Sequence, residues 1–382
     1  MKTYGMRKYS FHELWKRCQQ QQVSALIWID NNIPKYLPCG ERVVGTVLWA
    51  PKKLLLSFMV CSIKLPNVMY AFDNSDYAVP HSRRRSGHDW LITLPGIVRY
   101  AGTPSHPALL FPVAEYVRAT THCNIKRRSH KIPLFTTCVE SWTSKAEREC
   151  TQDNWDSRLE KAYWIGAFTG SIMKEETIDF NPRYRLAKDF RNRPGYDIHF
   201  TAMPMPSKRI GEKAFQLWND STGRYRPATD YCKYKLVIHA DGNSFAGSIG
   251  YKLTSGATIL FIDSHFKFKE FYYGLLQPWV HYIPIDPDLN NLENIKEWIF
   301  TTKEGEEIAR NISRNARKLV KERLTPEATY CYILRLFNSL AGLQSEEPTA
   351  EALSRADIPV EKFKIFEEYY TLLNHDNSNT GS

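Results

Sequence analysis

The sequence predicts an α/β fold in two lobes, the second built around a parallel, doubly wound sheet. At 382 residues the chain exceeds one domain of ordinary size, so two units can each bury a core. Between Lys235 and Thr302, apolar runs of strand length alternate with stretches of helical length, the order that parallel βαβ units require. Hydrophobic residues at 43% and charged residues at 24% leave no long segment with the composition of disorder, so most of the chain should fold.

Residues 1–22 are polar, carry a Gln run at 19–22, and read as a leading helix or frayed arm. From Ala25 to Pro112, short apolar runs broken by Pro, Gly and Asn read as strands of a first α/β lobe: VVGTVLWA (43–50), LLLSFMVC (54–61) and VMYAF (68–72). Residues 102–153 have little periodicity and read as loops crossing into the second lobe. There, KAYWIGAFT (161–169) is a strand ending at Gly170, RYRLAKDFRN (183–192) a helix and YDIHFT (196–201) a strand. The alternation follows: strand KLVIHA (235–240), helix SFAGSIGYKLTSG (244–256), strand ATILFI (257–262), helix near FKEFYYGLLQPW, strand VHYIPI (280–285) and helix NLENIKEWIFTT. Gly256 is the expected left-handed cap between a helix and the next strand. Beyond Pro287 the pattern turns helical, with Ile308, Ile312, Ala316, Leu319 and Val320 on one face, a second helix over 326–343, and a polar tail with one more helix.

The net charge is +10, with 51 Lys and Arg against 41 Asp and Glu. That favours anionic partners in general. The charge is spread rather than gathered in one run, and no recognition helix, aromatic platform motif or zinc finger accompanies it, which argues against nucleic acid. No run of 18 apolar residues is long enough to span a membrane, and the N-terminus has no signal-peptide pattern, so the chain as given reads as cytoplasmic, or as lumenal if a targeting segment has been trimmed. Eight widely spread cysteines contain no C-x-x-C pair and no His at metal-ligand spacing, which argues against zinc; without a signal peptide they read as isolated buried thiols.

In an open parallel sheet, ligands sit beyond the carboxyl ends of the strands, where glycines admit a phosphate and helix amides donate to it. HADGNSFAGSIGYK has that layout: Asp241, Gly242 and Asn243 form the turn, and Ser244, Gly247 and Ser248 begin the helix. On residue types alone the same segment also reads as an ordinary turn.

YCKYKLVIHADGNSFAGSIGYKLTSGATILF followed by EFYYGLLQPWVHYIPIDPDLNNL resembles the core of glycosyltransferase family 90, most specifically at Glu270, Phe271, Tyr272, Leu276, Pro278, Trp279, His281, Tyr282 and Pro284. YWIGAFTGS (163–171), NPRYRLAKDF and LPNVMYAFDNSDYAVP (65–80) extend the resemblance upstream. It implies a GT-B type fold of two Rossmann-like lobes: an arm at 1–22, an acceptor-side lobe at 23–155, a nucleotide-sugar lobe at 156–343 and a tail at 344–382. It further implies an inverting transfer of glucose or xylose from a UDP-sugar, a co-substrate rather than a cofactor, to a glycan or glycoprotein hydroxyl without a metal.

The resemblance gives Asp76 the role of general base, with Asp73 its competitor three residues earlier; as a residue type alone, Asp76 equally suits a turn or cap. Donor-site roles fall to Gly170, Ser171, Arg183, Asp241, Gly242, Ser248, Lys252 and Glu270, with Arg183 and Lys252 meeting phosphate charge and Glu270 accepting from a ribose diol. Thr169 and the segment GSIGYK stand where many protein O-glucosyltransferases carry arginines, and Ser75 where an arginine often precedes the base. Trp279 and His281, ahead of a buried strand, read as core packing, and Arg83, Arg84 and Arg85 as a solvated loop.

Overall fold

The structure, a computed structural model, describes residues 8–40, 48, 51–52, 55, 58, 63–74, 96–103, 109–112, 150, 155–170, 175–201, 211–223, 226–265 and 267–366. The chain divides into two compact units, Met1–Cys138 with Pro326–Ser382, and Val139–Thr325.

The first unit begins with helix α1 (Phe11–Gln19), where the Ser10 hydroxyl accepts from the Glu13 amide and the Glu13 carboxylate accepts from the Ser10 amide, a capping box. Phe11, Leu14 and Cys18 lie buried on one face of α1, so the expected arm is part of a core. Strands β1 (Ala25–Asp30) and β2 (Ile33–Pro38) form a hairpin. Its two-residue turn, Asn31 and Asn32, has φ of 47° and 68°, the left-handed pair that a right-twisted hairpin needs and that Asn tolerates. β3 (Val68–Asp73) runs antiparallel to β1, while β4 (Ile97–Arg99) and β5 (Leu109–Leu110) continue the sheet in parallel. Of the strand expected at 54–61 only Leu55 and Phe58 lie within the described residues, and both are buried and helical rather than extended, a spacing of three residues that suits one helix face. Of the run at 43–50 only Leu48 lies within the described residues, in a turn.

The second unit carries the predicted alternation. Strands β6 (Leu159–Gly166), β7 (Tyr196–Phe200), β8 (Tyr234–His239), β9 (Thr258–Ile262) and β10 (Ile283–Ile285) pair in parallel in the order β10-β9-β8-β6-β7. Counted within the unit this is the doubly wound order 2-1-3-4-5, whose direction reverses between β6 and β8. The helices are α2 (Pro182–Phe190), α3 (Glu212–Ser221), α4 (Ile249–Thr254), α5 (Leu292–Thr301) and α6 (Lys303–Arg323). Gly256 adopts φ of +75°, as its place before β9 requires. α4 is shorter than the predicted 244–256, because residues 244–248 stay in turns, and the helix expected around 268–279 shrinks to one 3₁₀ turn, Tyr273–Leu275. Pro278 has no amide hydrogen with which to continue a helix, and Trp279 adopts φ of +63°. Trp279 is 50% exposed, which corrects the expectation that it is buried.

On β7, Asp197 accepts hydrogen bonds from His199 Nε2 and the Tyr234 hydroxyl. The His199 bond is the larger cause holding the Asp197 carboxyl down to about 2, against the opposing effect of burial. A depressed carboxyl contributes stability that is complete above its unfolded value near 3.8 and is lost as pH falls through about 2. Asp197→Asn should therefore flatten the acid limb: between pH 4 and 2 the melting temperature of the wild type should fall more steeply than that of the variant. Equal slopes in a pH series of melting curves would refute this.

The chain then returns to the first unit through α7 (Pro326–Leu343), α8 (Ala350–Arg355) and β11 (Lys364–Ile365), which pairs with β2 at the sheet edge. This moves the expected boundary at 343 back to 325. Ile333, Leu336, Phe337, Leu340 and Leu343 form a buried stripe at helical spacing that joins the first core, and the Phe337 ring lies 5.5 Å from Tyr70 of β3. Cys18 and Cys39 form one disulfide in the first unit, and Cys150 and Cys232 another in the second, so these four cysteines are not isolated thiols; Cys331 is free and exposed.

Candidate functional site

The order of the second sheet sets the site. Where the direction reverses between β6 and β8, the loops leaving their carboxyl ends diverge and open a crevice. Those loops are Ala167–Gly170 after β6 and Ala240–Ser244 after β8. An open pocket of about 370 Å³, counting its mouth, lies there. Its lining includes Gly170, Asp241 and Gly242 from the predicted set, and Phe180, Asn181 and Ser264, which sequence reasoning missed.

Both glycines are required by close approach. A Cβ on Gly170 would lie 2.1 Å from Asn181 Nδ2, and one on Gly242 would lie 2.9 Å from Arg183 Nη2. Asn181 caps α2, its Oδ1 accepting from the amides of Arg183 at 2.9 Å and Tyr184 at 3.2 Å, while its Nδ2 donates to Thr169 O. The Gly170 amide donates to Asn243 Oδ1 at 3.1 Å, which ties the two loops together.

Arg183 is the buried peg of this arrangement. Its Nε donates to Asp241 O at 2.9 Å, Nη1 to Ala167 O at 2.9 Å and Thr169 Oγ1 at 2.6 Å, and Nη2 to Ala240 O at 3.1 Å. The guanidinium thus ties the two loops together. Lys252 is also buried, its Nζ donating to Ile238 O at 2.9 Å; burial first and the Arg183 charge second push its ammonium down to about 7. His239 is fully buried, its Nε2 lying 3.6 Å from Asp241 Oδ1, and burial holds it down to about 4, which leaves it neutral at physiological pH.

The remaining predicted residues divide. Ser248 precedes α4, half-buried, and its hydroxyl makes no capping bond. Glu270 is buried near Tyr273, whose hydroxyl is pushed far up by burial and then by the Glu270 and Asp241 charges. Neither residue lines the pocket. Asp76, Ser171 and the run Arg83, Arg84 and Arg85 lie outside the described residues. Asp73, at the end of β3, forms an ion pair with Arg99 at 2.8 Å. Among the described residues no cluster of three or more His, Cys, Asp or Glu side chains is placed to hold a metal ion.

A family model for glycosyl transferase family 90 matches residues 41–361. The chain belongs to glycosyltransferase family 90. Curated relatives include protein O-glucosyltransferase 2 of Danio rerio, 34% identical over 119 residues that make up 31% of this chain and 23% of that protein. Human protein O-glucosyltransferase 1 is 23% identical over 226 residues, 57% of this chain and 51% of that protein. The chain spans about a quarter and about half the length of these two relatives. A solved glycosyltransferase, Anabaena Alr3699/HepE with UDP-glucose, aligns at TM-score 0.34 and 12% identity over 52% of this chain and 53% of that one, too low a likeness to place the fold by itself.

Membership in family 90 agrees with the α/β class and with the doubly wound sheet of the second unit. Of the residues that sequence reasoning missed, Ser264 was findable, because it follows β9 at the carboxyl edge of the sheet, and Asn181-Pro182 carries a helix-start signal. Phe180 carried none.

Proposed function

We propose that this family 90 chain transfers glucose or xylose, with inversion, from a UDP-sugar to a hydroxyl of a glycan or protein. The observation that carries the donor side is the pocket at the strand reversal, where Gly170 and Gly242 bring two backbone loops against the space a nucleotide would fill. Asp76 is the proposed base: it takes the acceptor hydroxyl proton as that oxygen attacks the anomeric carbon and the bond to UDP breaks. The Asp73–Arg99 ion pair supports this choice, since the Asp73 carboxylate is already engaged by a guanidinium at 2.8 Å.

In this reading the leaving diphosphate is met by hydroxyls and loop amides, with Arg183 and Lys252 supplying charge from behind. Activity should then survive excess EDTA; loss on chelation with recovery on adding manganese would sink the metal-free scheme. The two disulfides support an oxidising compartment such as a secretory lumen.

The deciding experiment incubates the protein with UDP-glucose, UDP-xylose, UDP-galactose and UDP-glucuronic acid and measures UDP release with and without candidate acceptors. Release from UDP-glucose or UDP-xylose is the expected result. UDP binding without release from any donor would point instead to a non-catalytic member of the same fold, a reading that the missing arginine at Thr169 favours.

A further inference from the structure

Exposed apolar side chains gather at one place in the second unit. Of the six large hydrophobic residues that stand exposed among the described residues, Leu275, Trp279 and Val280 fall in the segment that leads into β10. Residues 271–285 contain no Asp, Glu, Lys or Arg, so this surface carries no charge of its own. It lies at the amino end of the parallel sheet, since β10 begins only at Ile283, whereas the crevice, with Pro287 in its lining, lies beyond the carboxyl ends.

Trp279 is presented by a strained turn. The Val280 amide donates to Gln277 O at 3.3 Å, which makes 277–280 a β-turn with Pro278 second and Trp279 third. Proline fixes a negative φ at the second position, so the φ of +63° at Trp279 makes the turn type II, whose third residue is by rule glycine or asparagine. An indole there is strained, and such outliers persist where the surroundings over-determine them. Here the Trp279 amide donates to Tyr282 O at 2.7 Å, the His281 amide to Gln277 O at 2.9 Å and the Gln277 amide to His281 Nδ1 at 3.0 Å. Packing uses only part of the indole: it is 50% exposed, and it meets Trp298 of α5 edge-on, with centroids 6.4 Å apart and planes at 75°.

The polar groups of the turn narrow the chemistry of a ligand. An Nδ1 that accepts carries no hydrogen, so the neutral His281 ring holds its hydrogen on Nε2, where it can donate. His281 Nε2, the Gln277 side-chain amide and the Trp279 indole N–H have no hydrogen-bond partner among the described residues. A charged ligand finds no opposite charge in this segment, and a purely apolar one would strip water from these groups without replacing it. A pyranose suits both features, since one face of its ring is apolar and stacks on an indole while its hydroxyls donate and accept around the rim.

We propose that Trp279, with Trp298 as a side wall and Gln277 and His281 Nε2 as hydrogen-bonding groups, forms a platform for one neutral pyranose unit at the edge of the sheet opposite the crevice. The platform does not depend on the reading of the donor site. A glycan held there is tethered without filling the place where transfer occurs, so the platform sets affinity for an extended glycan rather than the chemistry.

The test follows the indole N–H signals of the wild-type chain by heteronuclear NMR, with the Trp279 signal assigned from its absence in Trp279→Phe. The protein is titrated with methyl β-glucopyranoside, methyl β-xylopyranoside, methyl β-galactopyranoside and methyl α-mannopyranoside. At least one should move the Trp279 signal, and that glycoside should bind Trp279→Gly about tenfold more weakly or worse, the worth of one aromatic contact. Glycine is the residue that this turn favours, so the variant removes the ring while relaxing the backbone, and its UDP affinity should match the wild type. If no glycoside moves the Trp279 signal, a result that requires no variant to fold, or if Trp279→Gly binds as well as the wild type, the platform is refuted. Binding to vesicles of phosphatidylcholine and phosphatidylglycerol, or self-association, that Trp279→Gly abolishes while the glycosides stay inert would also overturn it, giving the surface to lipid or to a second copy. UDP release from donors is measured separately, so the platform and the donor reading can each fail alone.

Discussion

Asp76→Asn should lower sugar transfer by about 100-fold or more while leaving UDP affinity and melting temperature unchanged, since a positioned general base contributes on that order. Asparagine keeps the shape of the side chain and still accepts a hydrogen bond, yet it cannot hold the acceptor proton. Asp73→Asn is the informative companion. Asp73 is 6% exposed and paired with Arg99, so its loss leaves a buried guanidinium without its carboxylate and should register mainly as lost stability. If Asp73→Asn abolished transfer without lowering the melting temperature while Asp76→Asn retained it, the base would be Asp73, and the ion pair would have to open during turnover.

Arg183→Ala should destabilise the second unit by about 3–5 kcal/mol, since each buried acceptor left without a donor costs about 1–3 kcal/mol. Four guanidinium N–H groups are directed at Ala167 O, Thr169 Oγ1, Ala240 O and Asp241 O, and alanine would leave those acceptors without their donors. For a unit of this size the melting temperature should drop by about 10 °C. Arg183→Lys should recover only part of the loss, because an ammonium cannot fork across two loops. A change of less than about 2 °C in Arg183→Ala, well below that scale, would show that the loops hold themselves. Should stability stay intact while UDP affinity fell about 100-fold, a loss of two charge-assisted bonds, Arg183 would be a direct phosphate ligand instead.

Much of the second unit was legible because its signals are local. A parallel strand buried on both faces, such as KLVIHA, is a continuous apolar run, and each is closed by a turn residue or a glycine. The glycines at 170 and 242 were readable for the same reason, although the sequence could not say that Asn181 and Arg183 are what fills the space a Cβ would take. What failed depended on partners far along the chain. LLLSFMVC has strand composition, but its buried residues Leu55 and Phe58 sit on a helix, a choice made by tertiary packing. The helix at 326–343 was placed by proximity in sequence, whereas its apolar stripe matches the core built by β1 and β3. The partners of Arg183 and Lys252 were not legible: a cation near a glycine turn suggests a phosphate ligand, and the structure adds that both are buried and donate to backbone carbonyls.

The discontinuity of the first unit bears on how the molecule is made. The Tyr9 hydroxyl donates to Met69 O and to Leu340 O, a link 331 residues long, and β11 closes the edge of β2 only after residue 364 has been synthesised. A chain emerging from the ribosome therefore lacks the part of the β1 and β3 core that Ile333, Leu336, Phe337 and Leu340 supply until residues 326–366 arrive. The intervening unit is contiguous and is free to complete its sheet in that interval. Late closure makes the nascent first unit a natural client for holding chaperones, and stop codons between residues 326 and 366 should yield aggregation rather than a shortened enzyme.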